Sequence, residues 1–109
     1  MRNYVCHLPV VNPPDVLYHG TYSIISHQIL EQGLSSNIPC DVHLTADLSI
    51  AQRFATRRAC STNSKAVVYK IDAKRMLQDG FIFYRQFLST FIVDIVPPQY
   101  VSQLENITC

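Results

Sequence analysis

Six consecutive residues, Ala66-Val67-Val68-Tyr69-Lys70-Ile71, are β-branched or apolar but for one lysine, and no other stretch reads so clearly as a strand. Around it, short strand-like runs alternate with helical spacings. Val16-Leu17-Tyr18-His19 reads as a strand that breaks at a tight turn into a helix. Thr21 or Ser23 can cap that helix, with Ile24, Ile25, Ile29 and Leu30 at helical intervals and Gly33 as the stop. Asp41 to Thr45 alternates as a strand, and Asp47 can cap a second helix with Leu48, Ile50, Ala51, Phe54 and Ala55 on one side. Asp72 to Gly80 is a short helix carrying Met76 and Leu77, and strands follow over Phe81–Tyr84 and Phe91–Val96. Pro97-Pro98 ends the last strand and can open a terminal helix through Leu104. The order β-α-β-α-β-α-β-β-α predicts a mixed α/β (α+β) domain.

At 109 residues the chain closes one hydrophobic core and is too short for two. Residues 1–15, with Pro9, Pro13 and Pro14, read as an extended arm along the domain, and 16–109 as the single domain. A composition 48% hydrophobic and 16% charged with three glycines excludes a disordered or low-complexity chain. No apolar run reaches membrane-spanning length and no signal peptide opens the sequence, so the expectation is an intracellular, cytoplasmic protein with no membrane partner. Oligomeric state leaves no trace in the sequence. Cys6, Cys40, Cys60 and Cys109 form no close pair, which argues against a metal site and for free structural thiols.

The net charge of +1 hides an asymmetry: residues 53–85 hold eight basic against two acidic side chains, a local +6, and the remainder is −5. An excess of that size suits a phosphate-bearing partner, although a solvated helix face has the same composition. Arg53, Arg57 and Arg58 lie together on the second half of the second helix.

Two short motifs carry candidate chemistry. In Tyr18-His19-Gly20-Thr21 the backbone of Gly20 can approach a flat ligand without a Cβ in the way. In Val42-His43-Leu44-Thr45 the two-residue period puts His43 and Thr45 on one strand face. Each also reads as a plain turn or a structural histidine. No nucleophile elbow, phosphate-binding glycine loop or His-Glu-x-x-His signature is present.

In order and spacing, Leu17-Tyr18-His19-Gly20-Thr21, Ile29-Leu30-Glu31-Gln32-Gly33-Leu34, Val42-His43-Leu44-Thr45, Val67 to Ala73, Met76 to Gly80, Phe83-Tyr84 and Val96-Pro97-Pro98-Gln99-Tyr100-Val101 resemble one family. The chain resembles the NAD-binding lobe of the tRNA 2′-phosphotransferases, a branch of the ADP-ribosyltransferase superfamily. The resemblance implies a split, curved β-sheet with flanking helices that binds NAD between the sheet halves. It implies that Tyr18, His19, Gly20, Thr21, His43, Leu44 and Thr45 contact NAD. His19 would hold a ribose, Gly20 the carboxamide, and His43 would sit at the reacting ribose, so that His19 and His43 are the catalytic candidates.

Many relatives in the superfamily place a glutamate on a late strand, where Ser89-Thr90-Phe91-Ile92-Val93 has no carboxylate before Asp94. A phosphate acceptor is already an anion and needs no general base. The expectation is therefore ADP-ribose transfer to a nucleic-acid phosphate with nicotinamide release, Arg53, Arg57 and Arg58 binding the acceptor. The resemblance departs at Pro39-Cys40-Asp41-Val42-His43, where the family carries an arginine and a further histidine, and at the family's N-terminal RNA-gripping lobe. These departures weigh against 2′-phosphate removal from tRNA. They keep open modification of a partner protein's side chain and a non-catalytic NAD-binding or interaction module.

Overall fold

A computed structural model describes residues 9–10, 12–22, 26–35, 42–63, 65–86 and 89–107. The described residues form β1 (Pro9–Val10), β2 (Val16–Tyr22), α1 (Ser26–Gln32), β3 (Leu34–Ser35), β4 (Val42–Thr45), α2 (Leu48–Thr62), β5 (Ala66–Asp72), α3 (Ala73–Gln78), β6 (Phe83–Arg85), β7 (Thr90–Val93), β8 (Ile95–Val96), a 3-10 turn (Pro98–Tyr100) and β9 (Val101–Ile107). A seven-stranded antiparallel sheet runs β1-β6-β7-β4-β2-β5-β9, and β3 and β8 make a separate two-stranded ribbon. The expected α+β class with a split sheet is what the chain adopts. Ser23, Ile24, Ile25, Asp41, Cys6, Cys40, Cys109 and residues 1–8 of the arm lie outside the described residues.

The strand at 66–72 lies between β2 and β9 and is buried on both faces. Its Val67, Tyr69 and Ile71 join Leu17, Leu44, Phe83 and Val93 in the main core. Ala66 and Val68 point the other way, against Ala51, Ala55 and Ala59 of α2. Alanines four residues apart make a smooth stripe, which lets the helix backbone lie close on the sheet. The stripe differs from the expected apolar side: Phe54 is 55% exposed. Asp47 caps this helix, its Oδ1 accepting from Ser49 N at 2.9 Å and from Ser49 Oγ at 2.6 Å. Asn63 closes it in the left-handed region at φ 54°.

Four other expectations are corrected. β2 does not break at Gly20 but continues to Tyr22, so Thr21 caps no helix. The Phe91–Val96 strand is two, split at Asp94, where the chain leaves the large sheet for the ribbon. The terminal helix is one 3-10 turn followed by β9, because β5 presents a long hydrogen-bonding edge that the last segment covers. Cys60 is disulfide-bonded rather than a free thiol.

Candidate active site

The sheet is weakly joined at its middle. β2 pairs with β5 over seven residues, from Val16↔Asp72 to Tyr22↔Ala66. Toward β4 it has one pair, Tyr18↔Thr45. Past that rung the strands diverge, and a cleft of about 800 Å³ opens between the halves, bounded by α1, α2, Gln86 and Thr90. Five of the expected ligand residues on β2 and β4 besides Gly20 line it: Tyr18, His19, His43, Leu44 and Thr45. Thr21 does not; it is buried at 3% exposure.

His19 crosses the divergence. Its Nδ1 lies 3.2 Å from the carbonyl oxygen of His43. A carbonyl only accepts, so Nδ1 carries the hydrogen and Nε2 is left as an acceptor. Burial holds the His19 pKa below its ordinary value, and the charges of Arg58 and His43 add to that, while the bond to His43 works against it. Burial thus favours the neutral imidazole, with its hydrogen on Nδ1. His43 stands exposed on β4 with Nδ1 3.2 Å from Oε1 of Gln86, to which it donates. Gln86 is itself fixed through its backbone N–H, which donates to Thr90 O at 2.9 Å.

Gly20 lines the cleft, but its missing side chain serves another neighbour. A Cβ there would lie 2.1 Å from the carbonyl oxygen of Ala51 and 3.0 Å from Ala55 N, inside α2. The glycine admits the helix, and the expected reason, space for a flat ligand, is corrected to that extent. Gly33, also on the cleft wall, stops α1 at φ 79°, its N–H donating to Ile29 O at 2.8 Å.

Of the three arginines, Arg58 alone lines the cleft. Arg53 and Arg57 are exposed on α2, with the Arg57 guanidinium 6.0 Å from the ring centre of Phe54. Sequence reasoning missed Gln28, Gln32, Phe54, Gln86 and Thr90 on the cleft wall. Gln28 and Gln32, four apart on α1, share a face, and that spacing was readable. Gln86 carries no local signal, because its partner is 43 residues away. Among the described lining residues there is no carboxylate.

A split sheet with a histidine from each half facing a shared cleft defines an ADP-ribosyltransferase-like domain. Within that class the chain belongs to the RNA 2′-phosphotransferase, Tpt1/KptA family, whose sequence profile matches residues 5–93. This is a family of enzymes that use NAD as co-substrate. A Hahella chejuensis protein named "Probable RNA 2′-phosphotransferase" is 38% identical over 99 residues, 91% of this chain and 50% of that protein. Proteins of the same name from Rhodopirellula baltica and Nostoc punctiforme are each 41% identical, over 87% and 88% of this chain and 49% and 50% of their own lengths. The chain thus spans about half the length of these curated relatives. No helix among the described residues is long and apolar enough to cross a membrane.

Proposed function

We propose that this chain carries the NAD side of an RNA 2′-phosphotransferase, moving ADP-ribose to a 2′-phosphate of RNA with release of nicotinamide. The observation that carries the reading is the cleft's composition: two histidines and Arg58, with no carboxylate among the described lining residues. Such a wall suits a pyrophosphate-bearing dinucleotide and an anionic acceptor, and would repel neither. Its volume is in the range of small-molecule sites.

NAD supplies, when bound, an electrophilic ribose carbon whose leaving group is nicotinamide. The chain's own residues would bind and orient. His19, neutral and with Nε2 as acceptor, takes a hydrogen bond from a ribose hydroxyl. His43, steadied by Gln86, stands on the opposite sheet half, where it can hold the second ribose. Arg58 offers its guanidinium to a phosphate inside the cleft. The acceptor oxygen already bears negative charge, so no residue needs to remove a proton from it. Holding donor and acceptor in one geometry is then the main catalytic contribution.

Kinship narrows the broader expectation of a nucleic-acid phosphate to the 2′-phosphate of RNA, the reading that the sequence departures at 39–41 had weighed against. The test is nicotinamide release from NAD by the full chain with an oligoribonucleotide bearing one internal 2′-phosphate. The expected result is nicotinamide release followed by loss of the 2′-phosphate, both abolished when the oligonucleotide lacks that group. In the second step the ADP-ribose 2″-hydroxyl displaces the RNA 2′-oxygen from phosphorus, the phosphate leaves as ADP-ribose 1″,2″-cyclic phosphate and the RNA regains its 2′-hydroxyl. Release driven by terminal phosphates or by a protein, with the 2′-phosphate untouched, overturns the reading, and so does an absence of release in every mixture.

A further inference from the structure

Phe54 is a large aromatic residue left 55% exposed, and it lies on the cleft wall rather than on a remote surface. Scattered exposed apolar side chains are ordinary, but this one has charged neighbours of a particular kind. Arg57 and Arg58 follow it by three and four residues on α2, so all three share one helix face. The Arg57 guanidinium sits over the Phe54 ring at 6.0 Å, while Arg58 reaches the cleft. Arg53 and Arg57 continue the positive charge along α2 outside it. A dinucleotide held in the cleft would not need charge beyond the mouth; a polyanion that enters the cleft and continues outward would.

We infer that Phe54 is a stacking platform for one unpaired base of the RNA strand, next to the nucleotide whose 2′-phosphate enters the cleft, with Arg57 and Arg53 on the flanking backbone phosphates. This rests on the RNA 2′-phosphotransferase reading and adds a requirement to it: the substrate is single-stranded at that position, because a paired base keeps its faces within the duplex. Aromatic–base stacking is indifferent to base identity, so the site selects for strandedness over sequence.

The chain has no tryptophan, so Phe54→Trp introduces a single reporter. The probe is a fluorescein-labelled hexaribonucleotide with one internal 2′-phosphate, read by anisotropy on the full chain, and its copy with an abasic residue beside the phosphate. Phe54→Ala is expected to weaken binding of the intact probe about tenfold and of the abasic probe hardly at all. NAD affinity is measured on the same variant, and the probe should quench the fluorescence of Phe54→Trp. Equal binding by wild type and Phe54→Ala overturns the platform and leaves the function standing. Quenching of the tryptophan by NAD alone, with loss of NAD affinity in Phe54→Ala, assigns the ring to the dinucleotide and also overturns it. No binding of the probe by wild type overturns both readings.

Discussion

Two opposed influences set the protonation of His19, and burial is the larger. Burial and the nearby Arg58 charge favour the neutral imidazole, while the Nδ1–H bond to the His43 carbonyl favours the charged one and offsets part of that. With a folded pKa below the ordinary 6.5, its contribution to stability is complete above that value and is lost as pH falls below it toward the lowered folded value. The facing ionisable groups are Arg58 and His43. The wild-type melting temperature should therefore drop between pH 7 and 5.5 more than that of His19→Gln, whose amide can still donate but does not titrate; parallel curves would exclude the linkage. Gly20→Ala tests the other half of the motif. The added methyl meets the Ala51 carbonyl, so a loss of about 1–3 kcal/mol in unfolding free energy is expected from urea titration, before any effect on NAD. The His-Gly-Thr motif stood out in the sequence, and the structure sets its His19 and Gly20 on the cleft wall, but the neighbours of each residue were not legible. Spacing shows that a glycine stands on a strand, and only the packed helix shows which neighbour excludes a Cβ.

Among the elements, α2 was the most legible, with Asp47 as its cap read directly from the sequence. Asp47→Ala should lower the melting temperature by a few degrees while Asp47→Asn largely keeps it, since an asparagine oxygen can still accept from Ser49 N. The last segment was the least legible. Val101, Leu104 and Ile107 recur every three residues, a helix-like spacing, yet they lie on a strand. The register against β5 jumps from Tyr69↔Gln103 to Val68↔Glu105, so Leu104 is an extra bulge residue and the two-residue alternation is interrupted. A bulge shifts the apparent period, and only the partner strand reveals it. Phe54 was misassigned for a related reason. Helical spacing placed it beside Ala51 and Ala55, but close approach at Gly20 favours the alanine stripe and turns the ring to the cleft mouth.

For the molecule as a whole, a ligand that touches both sheet halves must stabilise the folded state. At a hundredfold excess over its dissociation constant, NAD is expected to add about 2.7 kcal/mol, a thermal shift on the order of ten degrees. His43→Ala should shrink that shift while leaving the melting temperature without ligand nearly unchanged, because His43 is exposed. An unchanged shift would place NAD away from β4. The single Tyr18↔Thr45 rung has a consequence for unliganded protein too. Slow amide hydrogen exchange should sort the backbone into two populations: one with the protons of β2, β5 and β9 under α2, the other with those of β4, β6 and β7, which open sooner and together. The boundary between a protected and a labile block would then run through a continuous sheet, at the place where two neighbouring strands share a single backbone pair.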